Sequence, residues 1–440
     1  MKVLIISHNP ISTYQSMGKT FLSLFSSFKK EELCQLYIYP TVPDIDICES
    51  YYRVTDRDVL KSYVHFGRVK SRIFTSVDID TNQHAMYENE SDAEFFRKNQ
   101  KNSFSLIGRD LMWLFAHWYN GSLKTWLAEQ KPTCIFLAPG ESKFIYNIAM
   151  KIANKLNIPI FSYVCDEYYF IQTPKKITDR LQLRLLQKKI RKVMKKSVGL
   201  IAICDMLADA YHKEFGVESH TIHTGSNYPI ASEPRALREE IRGLTYMGNL
   251  AFKRYESLAD IGRALDEIND ELGSDDKLFV YTRVIDDEAE RAFFGIRSIR
   301  YCGYVSGEEF KKTLHGADVL VHVESFDPEC TERVKHSVST KIADSLGSGI
   351  PLLGYGPENI ASMSYLLFNG LWQASDAEGL KNRIRDSLNA EERIRVSHIG
   401  LQLATLNHDQ TINSRKLYAV LQKNEEGEKW INKKNKKEKR

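Results

Sequence analysis

Short apolar runs alternate with longer segments of helical periodicity through the first half of the chain. The apolar run at residues 3–6 predicts a buried strand, because it has no polar face. Further strands are predicted at residues 34–39, 133–138, 158–164 and 198–203, and helices at residues 20–28, 106–128, 144–156, 177–193 and 206–215. This alternation is typical of βαβ units, so it predicts an α/β domain built on a parallel sheet.

The same alternation restarts after residue 238. Strands are predicted at residues 244–247, 278–281, 298–301 and 318–323, helices at 255–272 and 308–314, and a final helix, glycine stop and strand at 339–357. Residues 223–238 contain glycine, proline and serine but few apolar side chains, which is typical of a linker. We therefore predict an N-terminal domain over residues 1–228, a C-terminal domain over 239–400, a C-terminal helix over 401–422 and a basic disordered tail over 423–440.

The composition indicates a soluble globular protein made in a reducing compartment. Hydrophobic residues make up 42% of the chain and charged residues 27%, and no run approaches the roughly 20 apolar residues of a membrane span. A net charge of +4 is too small to indicate a nucleic-acid partner. The seven cysteines are scattered without a C-x-x-C pair, which supports neither a disulfide framework nor a zinc site and favours the cytoplasm.

Residues 339–357 contain a candidate anion site. Ser339 or Thr340 can cap the predicted helix, and Lys341 adds a mobile positive charge beside the unpaired N–H groups of its first turn. A phosphate docked there would gain several hydrogen bonds together with the favourable end of the helix dipole. An ordinary capped helix on an α/β sheet explains the same pattern and stays open at this point.

Two glycines mark further strand exits in the second half. Gly248 directly follows a predicted strand, and the basic pair Lys253 and Arg254 lies about one helical turn farther on, within reach of a diphosphate. A plain βα turn with a surface Lys-Arg pair is the alternative. Gly303 in the stretch Tyr-Cys-Gly-Tyr-Val ends another strand, where backbone groups can meet a nucleobase.

Together these motifs resemble the donor half of glycosyltransferase family 4 enzymes of the bacterial polysaccharide type. The resemblance rests on strand-Gly-x-Leu with basic residues beyond it, Tyr-x-Gly-x-Val, and Ser-Thr-Lys-Ile with Leu-x-x-Gly-x-Pro, and it is strong over residues 243–357. The first half is similar to the acceptor domain of the same enzymes, more loosely. The implied fold class is α/β of the GT-B type, with two Rossmann-like domains facing across a cleft, an acceptor domain first and a nucleotide-sugar donor domain second.

The resemblance also implies roles for individual residues. Glu324 and Lys341 would lie at the donor sugar and its diphosphate, and Asp166, at the end of a strand in the first half, would contact the acceptor or donor sugar unless it only caps a helix. The implied donor-binding residues are Gly18, Gly248, Asn249, Lys253, Arg254, Gly303, Tyr304, Val305, Ser339, Thr340 and Asp344.

This chain departs from the family pattern at three positions. Asn249 stands where the family usually has Arg, so one charge is missing from the diphosphate clamp. In the Glu-x7-Glu motif, His336 and Asp344 occupy the two glutamate positions, and the literal match at Glu324 and Glu332 lies too far upstream of the helix start to replace them.

The implied reaction is transfer of a sugar from a nucleotide donor, most simply a UDP-sugar, with retention of configuration. The acceptor would be a glycan or a polyprenyl-linked glycan in surface polysaccharide or glycoconjugate synthesis. No metal or other cofactor is implied, because helix dipole and basic residues can hold the diphosphate, and the Asp-x-Asp sequences at residues 44–46 and 78–80 lie in the first domain rather than in the donor domain. A nucleotide-sugar epimerase or hydrolase of the same fold, and a non-catalytic binding protein, are the alternatives.

A basic amphipathic segment lies in the first half. Residues 174–196 contain ten Lys and Arg residues and one acidic residue, Asp179. An apolar side is formed by Ile177, Leu181, Leu185, Ile190 and Val193. Such a helix can dock on anionic lipid, which predicts peripheral attachment to the inner face of the cell membrane. A solvated cationic face over the domain core explains the pattern equally well.

Overall fold

The structure, a computed structural model, describes residues 1–13, 16–64, 69–79, 103–171, 174, 176–235 and 238–423. The chain divides into two compact units. Unit 1 comprises Met1–Ile222 together with the chain from Asn413 onward, and unit 2 comprises His223–Ile412. Each unit is an α/β domain with its own sheet, as the alternating pattern predicts.

The sheet of unit 1 has eight strands in the order β4-β3-β2-β1-β5-β6-β7-β8. All neighbours are parallel except β3 and β4, which pair antiparallel at one edge. The strands are β1 Val3–Ser7, β2 Leu33–Tyr37, β3 Ser50–Arg53, β4 Arg72–Phe74, β5 Cys134–Ala138, β6 Ile160–Val164, β7 Ser197–Ala202 and β8 Ser219–Thr221. The central strands are buried along their whole length, as expected for a parallel sheet covered on both faces.

The helices of unit 1 connect these strands and cover the sheet. They are Ser16–Leu24, Asp56–Val64, Ser103–Phe115, Gly121–Gln130, Lys143–Leu156, Ile177–Met194 and Asp205–Phe215, followed at the C-terminus by residues 413–423 of a helix whose first residues, 410–412, belong to unit 2. Ser414 in this last helix accepts a hydrogen bond from the backbone N–H of Ser27 at 2.9 Å. Tyr418 packs its ring on Phe28, so the C-terminal helix belongs to unit 1 by contact.

The sheet of unit 2 has six parallel strands in the order β11-β10-β9-β12-β13-β14. The strands are β9 Gly243–Met247, β10 Lys277–Tyr281, β11 Ile299–Gly303, β12 Val319–Val323, β13 Leu352–Tyr355 and β14 Trp372–Ala374. The helices are Arg254–Leu272, Asp287–Phe293, Gly307–Gly316, Pro328–Val334, Thr340–Gly347, Ala361–Phe368, Ala377–Leu388 and Ala390–Leu403. Their apolar faces enclose one core around Leu258, Leu320 and Leu353.

Three boundaries differ from the predicted ones. The single helix predicted over 106–128 is wrong, because residues 116–120 interrupt it and Asn120 caps a second helix by accepting the N–H of Leu123. The predicted helix over 401–422 is also divided, by a π turn at Ala404–His408 and by extended Asp409. Residues 223–228, placed in the N-terminal domain by composition, belong to unit 2, and the tail from 424 onward lies outside the described residues.

Within the described ranges, every helix is too short or too polar to cross a lipid bilayer.

Candidate functional site

The carboxyl ends of four neighbouring strands of unit 2 converge on the predicted donor residues. β9 ends at Met247 and leads to Gly248, β12 ends at Val323 and leads to Glu324, and the helix Thr340–Gly347 begins at the same edge. Parallel sheets bind ligands at this edge, because the strand ends and the helix starts meet there. The structure therefore brings most of the predicted donor residues together.

The helix start carries a positive charge without a partner. Ser339 caps the helix by accepting the N–H of Lys341 at 3.4 Å. In the described part of the chain, no hydrogen bond or ion pair is made by Lys341 Nζ, although its side chain lines two cavities. Burial, reinforced by the charge of Arg254 and opposed by Glu324 and Asp344, lowers the pKa of Lys341. An anion bound here would relieve this destabilisation of the ammonium.

Gly248 lies close to Lys341 because it has no side chain. A Cβ built on Gly248 would lie 2.4 Å from Tyr246 Oη and 3.1 Å from Lys341 Nζ. The Tyr246 hydroxyl donates a hydrogen bond to the Asn249 carbonyl at 2.6 Å and so holds the loop after β9. The glycine is thus required by the close approach of Tyr246, and its predicted contact with a ligand stays a prediction.

Arg254 and Glu324 form a bidentate pair in the interior of the site. Arg254 Nε lies 2.9 Å from Glu324 Oε2, and Nη2 lies 2.8 Å from Oε1. Arg254 Nη1 also donates to Asn249 Oδ1 at 3.0 Å, which gives Asn249 a structural partner in the loop. Burial raises the pKa of Glu324, and the charges of Arg254 and Lys341 oppose that shift. The predicted catalytic carboxylate is therefore held in place by a predicted donor-binding cation.

Lys253, in contrast, already has a carboxylate partner. Its Nζ lies 2.5 Å from Asp327 Oδ2, and Asp327 caps the helix Pro328–Val334 through the N–H groups of Glu329 and Cys330. The hydrogen bond from Lys253 holds the pKa of Asp327 at about 2. Lys253 thus links the starts of the helices Arg254–Leu272 and Pro328–Val334. Its predicted contact with a diphosphate would require the ion pair between Lys253 and Asp327 to break.

His322 is a candidate site residue that the sequence reasoning did not single out. It lies on β12, is 9% exposed and lines the same cavity as Glu324 and Lys341. Its Nε2 makes no hydrogen bond within the described residues and lies 3.7 Å from Glu324 Oε1. Burial, together with the charges of Arg254 and Lys341, lowers the pKa of His322 to about 3, so the ring is neutral. The sequence signal that could have identified His322 is its position as the one polar residue within the apolar strand β12.

Two neighbouring cavities share Lys341 and the loop after β9. The first has a volume of about 290 Å³ and is lined by polar groups that include His322, Glu324, Ser339 and Thr340. The second is lined by Gly248, Tyr281, Arg283, Tyr304 and Val305, among others. Met247, Asn249, Phe310 and Lys341 line both.

A cation and an aromatic ring pair in the lining of the second cavity. The guanidinium of Arg283 lies 4.6 Å from the centroid of the Tyr304 ring, and Tyr304 is exposed while Val305 is buried. Gly303, which precedes them at the end of β11, has a φ of 81° that favours glycine. Arg283 and Phe310 line the same cavity and were not predicted.

Asp344, an implied donor-binding residue, is held by partners within unit 2. Its carboxylate accepts hydrogen bonds from the Asn227 backbone at 2.7 Å and from the Asn227 side chain at 3.1 Å. Ser226 Oγ also lies 3.3 Å from it. Asp344 therefore anchors residues 226–227 to the helix Thr340–Gly347, which explains why this segment belongs to unit 2. The carboxylate still lines the first cavity, and its predicted donor contact stays a prediction.

Gly18 and Asp166 belong to unit 1. A Cβ on Gly18 would lie 2.8 Å from the Ser12 backbone nitrogen, so the glycine lets the helix Ser16–Leu24 pack against the preceding loop. Asp166 is exposed after β6 and accepts the Tyr168 hydroxyl at 3.2 Å. Their predicted roles toward the donor and acceptor stay predictions. Over the described residues, no group of three or more His, Cys, Asp and Glu side chains is arranged to hold a metal ion.

Comparison with known proteins gives matches in structure and none in sequence. No family model matches the chain, and no curated protein sequence matches it. An α,α-trehalose-6-phosphate synthase from Burkholderia multivorans superposes with a TM-score of 0.57 at 11% identity, covering 98% of both chains. A trehalose-6-phosphate protein of E. coli, bound with UDP-2-fluoro glucose, gives 0.56 at 9% identity over 96% of this chain and 98% of that one.

A third solved structure shows the same likeness. The UDP-forming α,α-trehalose-phosphate synthase from Burkholderia xenovorans, in complex with glucose-6-phosphate, gives a TM-score of 0.53 at 10% identity. It covers 96% of this chain and all of its own. The chain has the GT-B fold. The predicted fold class is thereby confirmed, and at this identity the likeness shows the fold alone.

Proposed function

We propose that this protein is a retaining glycosyltransferase that transfers a sugar from a UDP-sugar to a glycan or lipid-linked glycan acceptor. The GT-B fold is that of the solved neighbours, one of which is bound with UDP-2-fluoro glucose and another with glucose-6-phosphate. The choice of a glycan acceptor rests on the family 4 resemblance of residues 243–357.

The observation that carries the proposal is the position of Lys341 between the two cavities. On one side lies a surface made by Tyr304 and Arg283, which suits a nucleobase. On the other side lie Glu324, His322 and the capped helix start, which suit a sugar and a phosphate. A nucleoside diphosphate sugar has its anionic group between a base and a sugar, so its diphosphate would meet Lys341 and the helix N–H groups.

Catalysis would then depend on stabilising the leaving diphosphate. The bond from the anomeric carbon to the diphosphate oxygen breaks as a bond to the acceptor hydroxyl oxygen forms, and the acceptor proton passes to the departing diphosphate. Lys341 and the helix dipole would stabilise the charge that develops there without a metal. Neutral His322 and the paired Glu324 would orient the sugar by hydrogen bonds.

The test is nucleotide-dependent stabilisation of the full-length protein. We expect UDP and UDP-sugars, and not GDP or ADP, to raise the unfolding temperature, since a ligand at 100 times its Kd adds roughly 2.7 kcal/mol. Lys341→Ala should abolish this stabilisation and sugar transfer while leaving the unliganded protein at least as stable as before, because the variant no longer buries an ammonium. The matched control is Lys312→Ala, an exposed lysine on the helix Gly307–Gly316, which should change neither.

Two outcomes would contradict the proposal. If no nucleotide stabilises the protein, the site is not a donor site and a non-catalytic role replaces it. If UDP-sugar is consumed at the same rate with and without glycan acceptors, the protein hydrolyses or epimerises the donor instead.

A further inference from the structure

A lysine-lined groove lies in unit 1, outside the site described above. It runs between the helices Lys143–Leu156 and Ile177–Met194 and has a volume of about 290 Å³. The lining residues are Tyr146, Asn147, Met150, Lys151, Asn154, Lys155, Lys189, Lys192 and Val193. The groove thus combines four ammonium groups with two side-chain amides.

In the described part of the chain, the positive charges of this lysine groove are offset only in part, by the charge of Asp110 acting on Lys189. No acidic side chain is among the lining residues, and within the described ranges none of the four lysines pairs with a carboxylate. Lys189 donates to Asn147 Oδ1 at 2.7 Å, and Lys151 Nζ lies 4.9 Å from the centroid of the Trp118 ring. Burial and the neighbouring Lys192 lower the pKa of Lys189. A bound anion would offset both effects.

Exposed apolar side chains lie on the helices beside the lysine groove. On Ile177–Met194, the sequence places Ile177, Leu181 and Leu185 on the apolar side, yet they are exposed, while Leu186 and Ile190 pack into the core. The adjoining helix Ser103–Phe115 contacts this helix and exposes Leu111, Leu114 and Phe115, the last at 69%. Soluble domains rarely expose so many large apolar residues on contacting helices without a partner.

We propose that the lysine groove binds the phosphate group of an anionic phospholipid, with the exposed apolar side chains of the two helices entering the lipid interface. Charge complementarity selects the partner, because phosphate suits clustered ammonium groups and amide donors. The apolar neighbours favour a lipid over a soluble phosphate, since they would lose contact with water only at a membrane. This inference does not rest on the proposed transfer activity.

The test measures binding of the full-length protein to vesicles by co-sedimentation, without any nucleotide sugar. We expect binding to vesicles of phosphatidylcholine mixed with phosphatidylglycerol, weakening as salt rises, and none to phosphatidylcholine alone. The double substitution Lys151→Ala/Lys192→Ala should weaken partitioning by about 30-fold, since each lysine near an anionic surface contributes roughly fivefold. Phe115→Ser with Leu181→Ser should weaken it too, without changing the salt dependence.

The matched control is Lys29→Ala/Lys213→Ala, which removes two exposed lysines of the same unit outside the lysine groove. This control should bind vesicles like the wild type. Equal weakening of vesicle binding in both double variants would overturn the proposal that the lysine groove binds the lipid phosphate, because binding would then depend only on the net charge of the protein. Binding of inorganic pyrophosphate or of a single-stranded oligonucleotide in the groove, with no binding to anionic vesicles, would overturn the lipid assignment.

Discussion

Replacing Arg254 with Met should show how much unit 2 is destabilised when Glu324 is left buried without its partner. The side chains of Arg254 and Glu324 are 15% and 5% exposed, and they share two hydrogen bonds of 2.9 and 2.8 Å. Met keeps the aliphatic stem but leaves the Glu324 carboxylate buried without its main partner. Breaking a buried pair from one side typically destabilises a protein by about 3–5 kcal/mol. We expect a loss of that size in the free energy of unfolding of unit 2 at neutral pH.

The loss should depend on pH in a defined direction. Burial already raises the folded-state pKa of Glu324 above its ordinary value of 4.5, and removal of Arg254 raises it further. A carboxyl with a raised folded pKa stabilises the fold when protonated, and this stability is lost as pH rises from the unfolded pKa through the folded one. The difference in free energy of unfolding between Arg254→Met and the wild type should therefore become smaller toward pH 4.5 and larger toward neutral pH.

The assay is urea unfolding followed by pulse proteolysis, with unit 2 fragments quantified by mass spectrometry so that unit 1 does not mask the transition. Arg263→Met is the matched control, because Arg263 lies on the same helix and pairs with Asp260 at the surface, where such pairs contribute less than about 1 kcal/mol. Adding Glu324→Gln to Arg254→Met should restore part of the loss. A loss no larger than that of Arg263→Met would refute the reasoning that the pair is desolvated.

Two further predictions concern the same site. Gly248→Ala should destabilise unit 2 by about 1–3 kcal/mol and weaken UDP binding, because the new methyl group overlaps the Tyr246 hydroxyl. Gly316→Ala is the control, since the space around its Cβ is open, and equal destabilisation of both variants in calorimetry would contradict the close contact between Gly248 and Tyr246. His322→Gln should reduce the loss of unit 2 stability on acidification. The His322 pKa is about 3 in the folded state against 6.5 in the unfolded state, so this residue lowers the free energy of unfolding by roughly 2 kcal/mol near pH 5, and urea titrations that show the same acid dependence in both proteins would mean that His322 is not desolvated.

The fold could be predicted because its signals are local. Apolar runs located most strands of both units, and helical periods located the longer helices of unit 1 but only three of the eight described helices of unit 2. The capped helix start at Ser339 needed only adjacent residues to be recognised. The interruption at residues 116–120 escaped prediction, because apolar residues on both sides continue the helical period while Asn120 starts a new helix.

The pairings within the site could not be predicted, because they join residues far apart in sequence. Asp344 meets Asn227 from 117 positions away, and Lys253 meets Asp327 from 74 positions away. Periodicity reports which face of a strand or helix is apolar and says nothing about which distant carboxylate a cation will meet. The neutral state of His322 likewise follows from burial by several elements and from two cations that no local pattern specifies.

These pairings distinguish the cations of the unit 2 site by whether a carboxylate of the protein already pairs with them. Lys253 and Arg254 hold Asp327 and Glu324, so each is largely neutralised before any ligand arrives. Lys341 has no such partner in the described chain, and its pKa is lowered by burial and by Arg254. An incoming diphosphate would therefore gain more from Lys341 than from Lys253 or Arg254, because at Lys341 it adds a counter-ion without first displacing a carboxylate. Asn249 supports this division, since its side-chain oxygen accepts a further hydrogen bond from Arg254, the residue that is paired with Glu324.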